Sequence, residues 1–329
     1  MSMPTLPIAG LVAALFAAAL VAGPPAGSAG LQAPSGPALT QPKEQLLSAT
    51  DCQPRAELRA ARRVVLLVHG TGEKKDETWS WSYEPALRGD GFATCSVQLP
   101  DHGLGDFAVA AEYVVAAVRK ASRRAGDQVA VIGYSQGGVL PVWAAKFWPD
   151  IADRVTDLIS LGGPFDGTQL ANEVCAPGKC APLAWQLRRG ADHVAALRNA
   201  PLPQGVPVTS IFTQYDEIVR PQPEASSLPG ATNVMLQDVC DADPSEHGLI
   251  LGDPVAYALA LDALTHPGPA RPSRLPATTC QETFIPHGDA AGSYVYLEGM
   301  ARFATFLADP QRWVDSEPPV PAYARPWVE

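Results

Sequence analysis

The chain has 329 residues, 47% of them hydrophobic, with 24 Lys+Arg against 34 Asp+Glu and a formal net charge of −10 at pH 7. An acidic chain without a basic stripe lacks the electrostatic footprint of a nucleic-acid binder, which excludes that class of partner. Proline, at 33 residues, is about twice its ~5% average, which points to a loop-rich globular protein, and the length allows two domains or one large α/β sheet.

Residues 1–29 carry no ionisable side chain, 19 of them are apolar, and the run Ile8 to Ala22 is followed by Pro24, Pro25 and Gly27-Ser28-Ala29. This reads as a secretory signal peptide cut after Ala29, leaving 30–329 as a single domain. The apolar run is shorter than the ~20 residues that span a bilayer, and no later stretch is longer, so no integral membrane segment is expected in the mature chain. Six cysteines follow the cut, at 52, 95, 175, 180, 240 and 280. An oxidising, extracellular location would pair them. Fifteen connectivities are open, and chain order suggests three sequential bridges, Cys52–Cys95, Cys175–Cys180 and Cys240–Cys280. The one close pair, Cys175 and Cys180, has no second pair or histidine at ligand spacing, so no metal site is expected.

In chain order, a Pro/Gly/Ser-rich arm to Pro42 precedes Arg63–Val68, whose short, β-branched and continuously apolar run predicts a strand buried on both faces. A strand follows at Ala93–Leu99. Helical periodicity through Phe107, Ala110, Ala111, Val114, Val115 and Val118 then ends in a basic turn and Gly126. A strand at Gln128–Ile132 leads through a sharp turn into an apolar helix from Val139 to Trp148, in which Pro141 predicts a kink. Strands at Leu158–Leu161, Val208–Phe212 and Asn233–Leu236 and a helix at Pro254–Leu264 complete the alternation. The pattern predicts an α/β fold, a mostly parallel central sheet with helices on both faces. Residues 168–205 fall outside it and suggest a small cap or lid; 266–329 are Pro-rich and are expected to wrap the surface. No repeat, Gly-rich phosphate loop or metal-binding helix motif occurs, so no cofactor is expected.

Gly133-Tyr134-Ser135-Gln136-Gly137 stands between a strand and a helix, the context of a nucleophile elbow. Glycines on both sides permit a tight turn that lifts the Ser135 hydroxyl above the sheet, with the following helix N-terminus offering an N–H to a developing oxyanion. A serine hydroxyl needs a base and an orienting acid, expected in the order Ser, Asp or Glu, His. Of the histidines after Ser135, His193 lies in the suspected cap, and His247, His266 and His287 remain. His247 is preferred, because it follows the last strand and precedes a helix. For the acid, Asp216 follows the strand at 208–212 most directly, with Glu217 and Asp166 as competitors. The second oxyanion donor should come from the loop after the first strand, His69-Gly70-Thr71-Gly72, where Thr71 would face the Gln136 N–H. His69 itself reads as a packing or supporting residue.

These residues, with Thr40-Gln-Pro-Lys43, Leu197-Arg-Asn199, Tyr215–Val219, Val239-Cys240 and Tyr323-Ala-Arg-Pro326, resemble the Candida antarctica lipase B type of secreted α/β-hydrolase over nearly all of the mature chain. The resemblance implies Ser135, Asp216 and His247 as catalytic triad, Thr71 and Gln136 at the oxyanion, Ile218 and Val219 on the pocket wall beside Tyr134, and the bridges Cys52–Cys95 and Cys240–Cys280. Tyr134 and His69 replace a tryptophan and a proline of that family, and Cys175–Cys180 looks new. The resulting expectation is a monomeric secreted serine hydrolase of carboxylic esters, foremost a triacylglycerol lipase at a lipid–water interface. A short-chain carboxylesterase or polyester hydrolase with the same triad is the alternative, and a catalytically silent binding module is a reading of another class.

Overall fold

The computed structural model describes Met1 and residues 36–329; the signal peptide expected at 1–29 therefore lies, beyond Met1, outside the described residues. The sheet has seven strands, β1 (Thr50–Cys52), β2 (Val64–Val68), β3 (Ala93–Val97), β4 (Val129–Tyr134), β5 (Val155–Leu161), β6 (Val208–Phe212) and β7 (Thr232–Met235). Their order is β1-β3-β2-β4-β5-β6-β7. Only β1 runs antiparallel, against β3, and every other pairing is parallel. The α/β expectation holds, and β1 is an addition to it. Cys52 and Cys95 face each other in the β1–β3 register and are joined as a disulfide.

All five residues of β2 are buried, because both faces of the sheet are covered. The two-residue period divides them: Val64, Leu66 and Val68 join one core, and Val65 and Leu67 join the other. The helices that bear on the site are α1 (Phe107–Ala125), α2 (Gln136–Phe147), α3 (Gln169–Cys175), α4 (Pro182–Gln186), α5 (Asp192–Asn199), α6 (Pro254–Thr265) and α7 (Val295–Leu307). Phe107 and Val114 of α1 and Trp143 of α2 fill the first core, and Tyr257 and Leu259 of α6 fill the second. At about 1.5–3 kcal/mol for each large apolar side chain fully buried, these layers are the main source of stability. Helix α1 starts where the Asp106 side chain accepts the Val109 N–H at 3.0 Å and stops at Gly126, whose φ of 80° is left-handed. Pro141 sits inside α2, yet the helix continues to Phe147. A proline so near the N-terminus removes a single intrahelical bond, so the helix is not ended there.

Residues 168–205 contain α3, α4 and α5, and Cys175–Cys180 and Cys240–Cys280 are both bonded. The Pro-rich segment holds an element its composition concealed: α7, which packs on the loop after β2, where an added Cβ at Gly72 would stand 2.6 Å from Phe303 Cβ. No helix among the described residues is long and apolar enough to cross a membrane.

Candidate active site

The site lies at the carboxyl ends of the central strands. Ser135 follows β4 with φ 53° and ψ −126°, a backbone conformation costly for a residue with a side chain and held here by its surroundings. The Ser135 N–H donates to Leu161 O at 2.8 Å. The flanking glycines are obligatory, since a Cβ at Gly133 would stand 1.8 Å from Gly137 O, and one at Gly137 2.2 Å from Val68 O. So tight a turn leaves the Ser135 hydroxyl as the group presented to the cavity above.

Ser135 Oγ lies 3.1 Å from His247 Nε2, and His247 Nδ1 lies 2.7 Å from Asp216 Oδ2. All three residues are buried. His247 sits on the loop between β7 and α6, which Thr213 fixes by donating its hydroxyl to Ser245 O at 2.6 Å and Ser245 fixes by donating to Asp253 at 2.6 Å. Asp216 Oδ1 accepts the backbone N–H groups of Ile218 and Val219 at 3.0 and 2.6 Å, so the carboxylate is oriented before it meets the imidazole. Burial pushes the His247 pKa down, but the charge and hydrogen bond of Asp216 outweigh it, and the net shift is upward. Such a line can draw a proton from the serine and hold the imidazolium that results.

The remaining candidates are elsewhere. Glu217 is beside His247 but accepts its backbone N–H at 3.3 Å, not the ring. Asp166 pairs with Arg189 and Arg198. His266 caps α6 and meets Asp262, and His193 is bound to Glu317. His287 packs against Gly89, where an added Cβ would stand 2.4 Å from its ring.

Thr71 and Gln136 come together from opposite sides, Thr71 Oγ1 donating to Gln136 Oε1 at 3.1 Å. Among the described residues no hydrogen bond engages either backbone N–H, and Gln136 is the first residue of α2, where an N–H has no helical partner. His69, fully buried, supports this loop. Its Nε2 accepts from the Leu99 N–H and from Gln98 Nε2, each at 2.9 Å, so the proton sits on Nδ1 and is donated to Gly70 O at 2.7 Å. Burial lowers its pKa to about 4, keeping the ring neutral.

The cavity over Ser135 encloses about 720 Å³ of empty space, mouth included, and Tyr134, Ile218 and Val219 all line it. Val174, Leu183 and Leu187 from the 168–205 region and Met300 and Phe303 from α7 supply further apolar wall. Two residues the sequence reading passed over also face it. Tyr296 of α7 lies 2.8 Å, oxygen to oxygen, from Tyr134, whose hydroxyl also donates to His247 O at 3.2 Å. Glu73 is buried beside them, its carboxyl pushed up to about 7 by burial against the opposing hydrogen bond from Thr78. In sequence Glu73 belongs to the charged run Glu73-Lys-Lys-Asp-Glu77, which carries no sign of burial.

Among the described residues no group of three or more His, Cys, Asp or Glu is arranged to hold a metal ion.

No protein-family model matches the chain. It is 31% identical over 310 residues to Lipase B of Pseudozyma antarctica, a match covering 90% of this chain and 89% of that one. The crystal structure of Aspergillus fumigatus lipase B superposes with a TM-score of 0.79 at 27% identity, covering 92% of this chain and 77% of that one. The propeptide form of Bacillus licheniformis lipase BlEst2 shares the fold, with a TM-score of 0.51 at 17% identity over 72% of this chain and 54% of that one.

Proposed function

The chain belongs to the lipase B family of α/β-hydrolases and is a carboxylic-ester hydrolase, and from that premise we propose that it is a secreted serine lipase acting on acylglycerols or similar lipid esters. The observation that carries the proposal is the hydrogen-bonded line from Ser135 through His247 to Asp216 on the floor of an apolar cavity.

In this reading Ser135 Oγ attacks the ester carbonyl as His247 Nε2 takes its proton, and Asp216 holds the imidazole in the Nδ1–H tautomer and stabilises the imidazolium. The carbonyl oxygen becomes an oxyanion, received by the N–H groups of Thr71 and Gln136, and by the Thr71 hydroxyl once it turns from Gln136 Oε1. One such donor is typically worth ~10²–10³ in rate. His247 then gives its proton to the departing alkoxide. Water enters, loses its proton to the same nitrogen and cleaves the acyl-enzyme, which restores the serine. The acyl chain would lie along the apolar wall. The three disulfides support export, since such bonds persist in oxidising surroundings.

The test is hydrolysis of p-nitrophenyl esters graded from acetate to palmitate and of emulsified triolein, with Ser135→Ala as control. Long-chain and triolein activity that vanishes in the control is the expected result. Serine-dependent activity confined to the shortest esters would make the protein a short-chain esterase and refute the lipase reading.

A further inference from the structure

Glu73 is an anomaly in a cavity whose wall is otherwise mostly apolar. It is 1% exposed and lines the cavity with Ser135, His247, Tyr134 and Tyr296. Thr78 donates its hydroxyl to Oε2, and the Gly70 N–H also favours the ionised form. The stem is clamped by α7, where an added Cβ at Gly299 would stand 2.9 Å from Glu73 Cγ. Among the described residues no cation pairs with it. Arg302, at which the charge of Glu73 is felt, gives its guanidinium to Glu77 through two bonds of 2.8 Å and to Gly72 O at 2.8 Å. A carboxyl so placed is costly unless something entering the cavity completes its bonding.

The position tells which part of a substrate it would meet. His247 Nε2 must protonate the leaving alkoxide, so the alcohol moiety departs on the His247 side. The charge of Glu73 is felt at His247, Tyr134 and Tyr296, whereas the 168–205 side, apart from Thr168, whose hydroxyl is donated to Ile218 O, offers hydrocarbon such as Leu183 and Leu187 to an acyl chain. We propose that Glu73 is a specificity-determining residue that accepts a hydrogen bond from the alcohol moiety of the ester, selecting alcohols that carry a hydroxyl or ammonium donor over plain hydrocarbon alcohols. The inference rests on reading Ser135 and His247 as nucleophile and base. Both protonation states of Glu73 are accessible near neutrality, its pKa being about 7, and the ionised state binds a donor more strongly. Of the groups facing it, Glu77 is held down at about 2, Arg302 is raised, and Tyr134 and Tyr296 are raised far above neutrality. His247, raised above its ordinary 6.5 against the effect of its burial by the charge and hydrogen bond of Asp216, acts equally on any two esters compared.

The experiment compares kcat/KM for shape-matched butyrates: 2-(dimethylamino)ethyl against 3-methylbutyl, and 2-hydroxyethyl against propyl. The donor-bearing ester of each pair should be favoured by about 10- to 100-fold, with the ammonium preference shrinking as pH falls from about 7.5 to about 5, as the carboxyl is neutralised. Glu73→Gln should abolish the ammonium preference, and Glu73→Met should abolish both. An ammonium ratio equal to wild type in Glu73→Gln, or either ratio equal to wild type in Glu73→Met, overturns the proposal. If neither variant turns over the neutral esters, the wild-type pH series decides, and an ammonium preference that is absent or constant with pH overturns it. Neutral-ester hydrolysis that is missing in wild type, or that survives Ser135→Ala, defeats the functional reading instead.

Discussion

Asp216→Asn is isosteric, yet the surroundings of Asp216 dictate how the amide must sit. Oδ1 accepts two backbone N–H groups, from Ile218 and Val219, while Oδ2 faces His247 Nδ1. An amide N–H₂ cannot accept hydrogen bonds, so the Asn oxygen must take the Oδ1 position and its NH₂ must face the ring. That NH₂ donates to Nδ1 and drives the imidazole proton to Nε2, which then cannot take the proton of Ser135. A trapped tautomer of this kind costs about 10⁴ in kcat, or about 5.5 kcal/mol of transition-state stabilisation. The loss should fall on kcat and leave KM nearly unchanged, because the cavity walls do not move. Wild-type activity should decline as pH falls through a His247 pKa above the ordinary 6.5. The residual activity of the variant should extend to lower pH, since the charge that raised that pKa is gone. The assay is p-nitrophenyl butyrate hydrolysis across pH, with thermal unfolding as a check on folding. A variant within tenfold of wild type at neutral pH would refute the reasoning and return attention to Glu217.

The elbow glycines make a second case. Gly133→Ala and Gly137→Ala should each destabilise by more than about 3 kcal/mol, because the new Cβ meets backbone at 1.8 and 2.2 Å. Gly126→Ala, with φ 80° and nothing within 4 Å, should cost only about 1–2 kcal/mol; urea unfolding that ranks Gly126→Ala with the other two would contradict this. For the bridges, chain-entropy scaling with separations of 43 and 5 residues gives about 4 kcal/mol for Cys52–Cys95 and about 2 for Cys175–Cys180. Double Cys→Ser variants should unfold in that order of severity, and a reversed order counts against the estimate. His69 carries a pH dependence. Its folded pKa of about 4 lies below the ordinary 6.5, so its contribution is full above pH 6.5 and is lost as pH falls to about 4, an amount of about 3 kcal/mol. The non-titrating His69→Gln should lose that much less stability than wild type between about pH 7 and about pH 4, and equal losses would disprove it.

Strands with several apolar residues in a row, such as Val64–Val68, were legible because burial on both faces leaves no other composition for them. Thr50–Cys52 was not: three residues carry no period, and what holds them is the edge pairing to β3 and a bond to Cys95. The expected elbow, acid and base residues lie together at the sheet edge because each follows a recognisable strand. Helix α7 had no such marker. It begins without a side-chain cap, carries Gly299 at its middle and stands in a Pro-rich stretch, so its position is a product of packing on the loop after β2. Glu73 was hidden for the opposite reason. A run of mixed charges reads as a solvated face, and only the tertiary fold draws Glu73 and Glu77 inward while leaving Asp76 in water.

The chain near Val314 is stitched to the start of α4. Cys180 and Val314 exchange backbone hydrogen bonds of 3.3 and 2.9 Å, Trp185 Nε1 donates to Val314 O at 3.0 Å, and Glu317 holds His193 at 2.7 Å. With Cys175–Cys180 closing the other side of the seam, the 168–205 wall of the cavity is backed by a distant stretch of sequence around Val314. It therefore cannot swing as a single hinged flap on residues 168–205. An outward movement of α4 must unfasten the chain at Val314 as well, so any widening of the cavity on that side is coupled to how firmly the stretch around Val314 and Glu317 stays docked.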